Sequence, residues 1–122
     1  MASMSVRPGD TSVAIGLNDL SVVSSTAIVN VIESACSAAV IDLLEIGETT
    51  QTHKLALEIG TTVTVGEELR AHARCVEIEG DIFSFEAEVL HQQRTIATAV
   101  VQRRLVDRVS YMARIAAERI TL

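Results

Sequence analysis

Residues 25–45 constrain the chain more than any other stretch, because they repeat with helical periodicity and carry almost no surface-type side chains. Asn30, Glu33, Ser34 and Ser37 recur at i, i+3, i+4 and i+7 and make one narrow polar stripe. Ala27, Ile28, Val31, Ile32, Ala35, Ala38, Ala39 and Leu43 cover the rest. A surface helix shows the reverse, an apolar stripe on a polar cylinder. Something must therefore wrap this helix on most sides. Ser24 or Ser25 stands where its N-cap belongs, and Gly47 supplies a stop after it closes near Glu45.

The wrapping partner follows directly. From Thr49 the hydrophobic period changes from 3.6 to 2, which reads as one long antiparallel sheet. Strands are expected over residues 49–59, 68–78, 82–91 and 95–104, with a Thr- and Val-rich loop between Gly60 and Gly66. Thr11 to Leu17 alternates well enough for a first strand, followed by turn chemistry at Asn18-Asp19. Residues 1–10 are small and polar, hold the only proline, and read as a flexible leader to a single domain over 11–122. Asp107 is placed to cap a last amphipathic helix, with Val109, Met112, Ala116 and Ile120 at helical spacing.

Charge and size fix the strand register. A three-residue loop at Glu79-Gly80-Asp81 sets Arg74 opposite Glu86 and His72 opposite Glu88 on one face. On the other face Cys75 meets Phe85, Ala73 meets Ala87, and Ala71 meets Val89. A three-residue loop at Gln92-Gln93-Arg94 then pairs Val89 with Ala97, Ala87 with Ala99, and Phe85 with Val101. The inner face thus carries alanines at 71, 73, 87, 97 and 99, small enough for a helix to lie close.

With 48% apolar and 21% charged residues in 122, the composition is that of an ordinary globular domain with a core of its own. A net charge of −6 with no basic stripe argues against a nucleic-acid partner. Cys36 and Cys75 lack metal-ligand spacing and read as free thiols of a reducing compartment. No apolar run of about 18 residues is seen, so no membrane contact and a cytoplasmic location are expected. His53, His72 and His91 fall on different strands, and no metal site is assigned to them. Arg103, Arg104 and Arg108 form the one basic cluster, suited to coenzyme A phosphates or to a solvated strand end.

A strand, a long buried helix and four wrapping antiparallel strands make up the α+β hot dog layout. The stretches VVSSTAIVNVIESAC (22–36), GETTQTHKLALEI (47–59), VTVGEELRA (63–71) and EGDIFSFEAEVL (79–90) resemble the fluoroacetyl-CoA thioesterase-like branch of the hot dog thioesterases. The resemblance implies a hydroxyl at the helix start, a Glu two turns on and a His ending the second strand. Ser25 and Glu33 match the first two. The third falls on Ile59, which carries no proton, and a usual Gly falls on Thr52. Acyl-CoA hydrolysis is thus expected to rest on Glu33 as base or nucleophile and Ser25 as a polar positioning group, with Asn30, Thr52, Ile59 and Gly60 lining the acyl site. The added bulk at Thr52 and Ile59 points to a small acyl group. The alternative is a non-catalytic protein binding an acyl-CoA or another small apolar ligand. Ser25 and Glu33 stand roughly 12 Å apart along one helix, so substrate must lie between them or a second subunit must contribute. A homodimer or dimer of dimers follows from the resemblance, with no resident cofactor, since coenzyme A enters as part of the substrate.

Overall fold

The computed structural model describes residues 1–121. Its strands are β1 (Ala2–Ser5), β2 (Glu48–Ile59), β3 (Glu68–Glu79), β4 (Ile82–His91) and β5 (Arg94–Asp107), and its helices are α1 (Ser25–Val40) and α2 (Arg108–Thr121). All neighbouring pairs are antiparallel in the order β1-β3-β4-β5-β2, so β1 and β2 form the two edges. The architecture is the expected α+β one, a central helix lying on a curled five-stranded sheet.

Helix α1 starts where Ser24 accepts a hydrogen bond from the Ala27 amide at 3.0 Å. It ends at Val40 rather than near Glu45 and passes into a single tight turn over Ile41–Leu43. The chain then turns at Gly47, whose φ of 88° suits glycine. The buried side of α1 comprises Ala27, Ile28, Val31, Ile32, Ala35, Cys36 and Val40. In one chain the sheet covers only that side. Ser25, Thr26, Asn30, Ser34, Ser37 and Ala38 stay exposed, so the expected wrapping on most sides is not supplied by this chain alone. Ser25–Leu43 is also long and apolar enough to cross a bilayer, contrary to the sequence expectation, but its apolar side packs on the sheet as a core helix does.

The register is the one expected at every inner pair, but it is reached differently. Both hairpins turn on two residues, not three, because Glu79 pairs with Ile82 and His91 with Arg94. A bulge between Cys75 and Glu77, and another between Val89 and Leu90, each restore the residue that the shorter turn removes. Ala73 therefore still faces Ala87, and Phe85 still faces Val101. Left-handed φ values at Gly80 (61°) and Gln92 (58°) make these short turns possible.

Two N-terminal expectations are corrected. Residues 2–5 are not a flexible leader but edge strand β1, with Ala2 opposite Ala71 and Ser5 opposite Glu68. Residues 11–17 are not a strand. They form turns held by an isolated bridge from Thr11 to Val23 and by the Ser12 and Val13 amides bonding to the Val22 and Leu20 carbonyls. β1 is placed by its backbone pairing to β3 together with Ala2 and Met4, which alternate with serines and pack against the core.

Val6, Ile28, Ile32, Leu69, Phe85 and Ile96 are fully or almost fully buried and anchor the core. Between helix and sheet lie Ala71, Ala87, Ala97 and Ala99, all buried. Helix α2 is capped as expected, the Ser110 amide donating to Asp107 at 2.9 Å, and these hydrogen bonds hold the Asp107 carboxyl below its usual range. Because Ala71 is fully buried between helix and sheet, Ala71→Leu is expected to destabilise the fold by about 1–3 kcal/mol. A lowered urea midpoint at unchanged slope would measure that loss.

Candidate functional site

The inner face of β2 is assembled in two parts. Thr50 and Thr52 share a face with Arg103, since Thr52 pairs with Arg103 across the strands. A bulge at His53 then shifts the parity, so that Leu55, Leu57 and Ile59 join the same face opposite Val101, Ala99 and Ala97. One strand thereby offers hydroxyls at one end and apolar side chains at the other.

Glu33 reaches the hydroxyl end from α1. Thr52 Oγ1 donates to Glu33 Oε2 at 2.6 Å, and Arg103 Nη1 donates to Oε1 at 3.4 Å. The same Arg103 nitrogen is 3.4 Å from the Glu33 carbonyl. Its Nε donates to Thr50 Oγ1 at 2.8 Å and its Nη2 to the Thr50 carbonyl at 3.3 Å. Arg103 is buried, whereas the Glu33 side chain keeps about a third of its surface exposed (32%). The pair is thus a closed network in which both Glu33 oxygens have a donor while part of the side chain stays open to solvent. A guanidinium held by three other hydrogen bonds is a fixed charge, and its partner carboxylate is fixed with it.

This geometry changes several sequence readings. Arg103 does not belong to a basic cluster, because Arg104 points to the opposite face and pairs with Asp81 at 3.5 Å. Strand parity carried the clue, since Val101 and Arg103 lie two residues apart on the inner face. Thr52 is less a filler of acyl space than a donor that aims Glu33. Ser25 is exposed at the first position of α1, while Ser24 makes the cap. Asn30 is exposed and uses its carbonyl to accept from Ser34 Oγ. Ile59 ends β2 with 43% of its surface free, and Gly60 donates from its amide to the Ile96 carbonyl at 2.8 Å. These two residues border a depression of about 270 Å³. Ser25, Asn30, Ile59 and Gly60 form no hydrogen bond or ion pair with Glu33 among the described residues of one chain.

Cys36, one turn after Glu33, is buried beside the network, and burial pushes its thiol up to about 11. Arg103 opposes that shift and Glu33 adds to it. The histidines stand apart from the site. His72 and His53 are exposed, and His91 pairs with Glu67 at 2.7 Å.

Two outcomes follow for stability. Arg103→Met leaves a half-buried carboxylate unpaired and is expected to cost about 3 kcal/mol, and adding Glu33→Gln should recover part of it. A thiol raised from 9.0 to about 11 stabilises the fold fully below pH 9, and that contribution is lost as pH rises toward 11. Urea titrations across this window should show a decline that Cys36→Ala flattens.

The comparisons with known proteins agree with the architecture. Residues 6–109 match the family model for the fluoroacetyl-CoA-specific thioesterase. A variant of the fluoroacetyl-CoA-specific thioesterase FlK, solved with fluoroacetate and CoA, superposes with a TM-score of 0.86 at 17% identity over 95% of each chain. A thioesterase superfamily member from Thermus thermophilus gives 0.83 at 18%, covering 98% of this chain and 90% of its own. A CoA-bound protein from Bacillus halodurans gives 0.73 at 20%, covering 85% and 69%. No curated protein sequence matches. At these identities the structures establish the shared hot dog fold.

Proposed function

The chain belongs to the fluoroacetyl-CoA-specific thioesterase family, and from that membership we propose that it hydrolyses a small acyl-CoA thioester with Glu33 activating the attacking water. The observation that carries this reading is the Glu33 carboxylate held by Thr52 and Arg103 with about a third of the side chain (32%) still exposed. Each oxygen already has a fixed donor, which suits a base acting through one water better than a nucleophile that must swing onto the substrate. Structural neighbours solved with CoA or with fluoroacetate and CoA support the substrate class.

In this reading Glu33 removes a proton from water as the oxygen bonds to the thioester carbonyl carbon. The C–S bond then breaks, and the proton passes to the departing thiolate, giving a carboxylic acid and free coenzyme A. Negative charge on the carbonyl oxygen would be met by the free amides at the start of α1 and by the Ser25 hydroxyl. Those groups lie about two turns from Glu33, roughly 12 Å along the same helix. A second copy of the chain resolves the separation, setting its own helix start opposite the first copy's carboxylate. The unpaired edge of β2 and the exposed polar side of α1 are the surfaces such a homodimer would use. Asn30, Ile59 and Gly60 would then border the acyl group, and Ile59 would contribute shape in place of a titrating side chain.

The decisive measurement is thiol release from acyl-CoAs of rising chain length. Turnover is expected on the shortest members, with Glu33→Gln lowering kcat by about 10²- to 10⁴-fold and leaving the fold intact. Ser25→Ala should lower kcat less, by about tenfold, the size of one lost neutral hydrogen bond. Undiminished turnover in Glu33→Gln would overturn the assignment of the base. Saturable acyl-CoA binding without turnover on any member would replace hydrolysis with ligand carriage.

A further inference from the structure

Two surfaces remain unpartnered, and neither takes part in the Glu33 site. The first is on α2. Tyr111 and Ile115 are half-buried toward the body of the protein, but Val109, Met112, Ala116 and Ile120 all face solvent. Exposures of 77% for Val109, 57% for Met112 and 86% for Ile120 are high for apolar side chains at helical spacing. Three arginines against one glutamate give this helix a net charge of +2 in a chain whose total is −6.

The second surface is a groove of about 790 Å³ that crosses the outer face of the sheet from β3 to β2. Outward side chains two residues apart on each strand form its walls. His72 and Glu88 stand on one side, Arg74 and Glu86 on the other, and the chain between them turns Ala73 and Ala87 inward. Glu58 closes the β2 end, and exposed Val100 lies midway. Arg74 is paired with Glu86 at 3.9 Å, so Glu58 and Glu88 are the two carboxylates that leave the groove acidic.

We propose that α2 of one copy docks its apolar side in this groove of a second copy. Length, charge and chemistry agree. Four strands at about 4.8 Å spacing set the outer two about 14 Å apart, which seats the roughly 12 Å of α2 from Met112 to Ile120 rather than its whole length. The helix is cationic where the groove is anionic, and its Met112 and Ala116 meet Val100 and a backbone floor left open by inward alanines. Reciprocal exchange of the two helices closes the pair by a two-fold axis, and one-way exchange would extend into a fibre.

Disulfide trapping between separately made chains tests this. Met112→Cys and Val100→Cys are each placed in a Cys75→Ser background, Cys36 being buried. Within one chain the two positions cannot meet, because the seven residues from Val100 to Asp107 are extended strand of about 23 Å. The mixture is expected to give a crosslinked dimer far faster than either protein alone. In parallel, Met112→Glu, at a site already exposed, should halve the mass measured by light scattering, and the native assembly should weaken in about 1 M salt. No dimer in the mixture would overturn the proposal, as would Met112→Cys alone crosslinking as fast as the mixture, which would pair helix with helix. An unchanged mass in Met112→Glu would count equally against it.

Discussion

The structure depends on how closely α1 can approach the sheet. Alanines at 71, 87, 97 and 99 are buried beneath it, and α1 contributes Ala27 and Ala35 from its own side. With two phenylalanines, one tyrosine and no tryptophan in the whole chain, the core has few large rings to hold the layers apart. Dispersion contacts are gained over many small groups, and any added methylene is felt across the interface. The same closeness lets the Glu33 side chain on α1 accept from the Thr52 hydroxyl on β2.

That approach also explains why a charged pair survives in the interior. Each nitrogen of the Arg103 guanidinium finds a partner in Thr50 or Glu33, so its burial leaves none of the three unsatisfied. Buried ion pairs seldom stabilise a fold beyond what an apolar pair would do. Their worth here lies in direction, since the network fixes where the Glu33 carboxylate points. Among the described residues no buried side-chain polar atom lacks a partner.

Much of this was legible in the residues. The buried stripe of α1, the switch to period 2, the inner alanines and the capping Asp107 all follow from spacing and size, and β4 falls on the expected 82–91. Glu33 was marked by its polar identity in an apolar helix. The misses have physical causes. β1 is only four residues long, and its alternation of Ala2 and Met4 with serines, which turns those two toward the core, is too short to stand out in the sequence. Residues 11–17 alternate but form no ladder, pairing only through the isolated Thr11–Val23 bridge and turn hydrogen bonds. Arg103 reads as one of two adjacent arginines until strand parity sends it inward and Arg104 outward. Exposure of the polar side of α1 could not be read from its sequence, because composition alone does not say whether one chain or two supply the cover.

The paired bulges carry a further meaning. Each compensates a hairpin that is one residue short, so turn length and strand parity are no longer tied to each other. A lineage could lengthen the Gly80-Asp81 or Gln92-Gln93 turn by one residue and lose the matching bulge, and every inward side chain would keep its address. The sheet therefore holds its inner surface constant while its rim is free to be rewritten, a separation that allows loops to diversify without the core having to be re-invented.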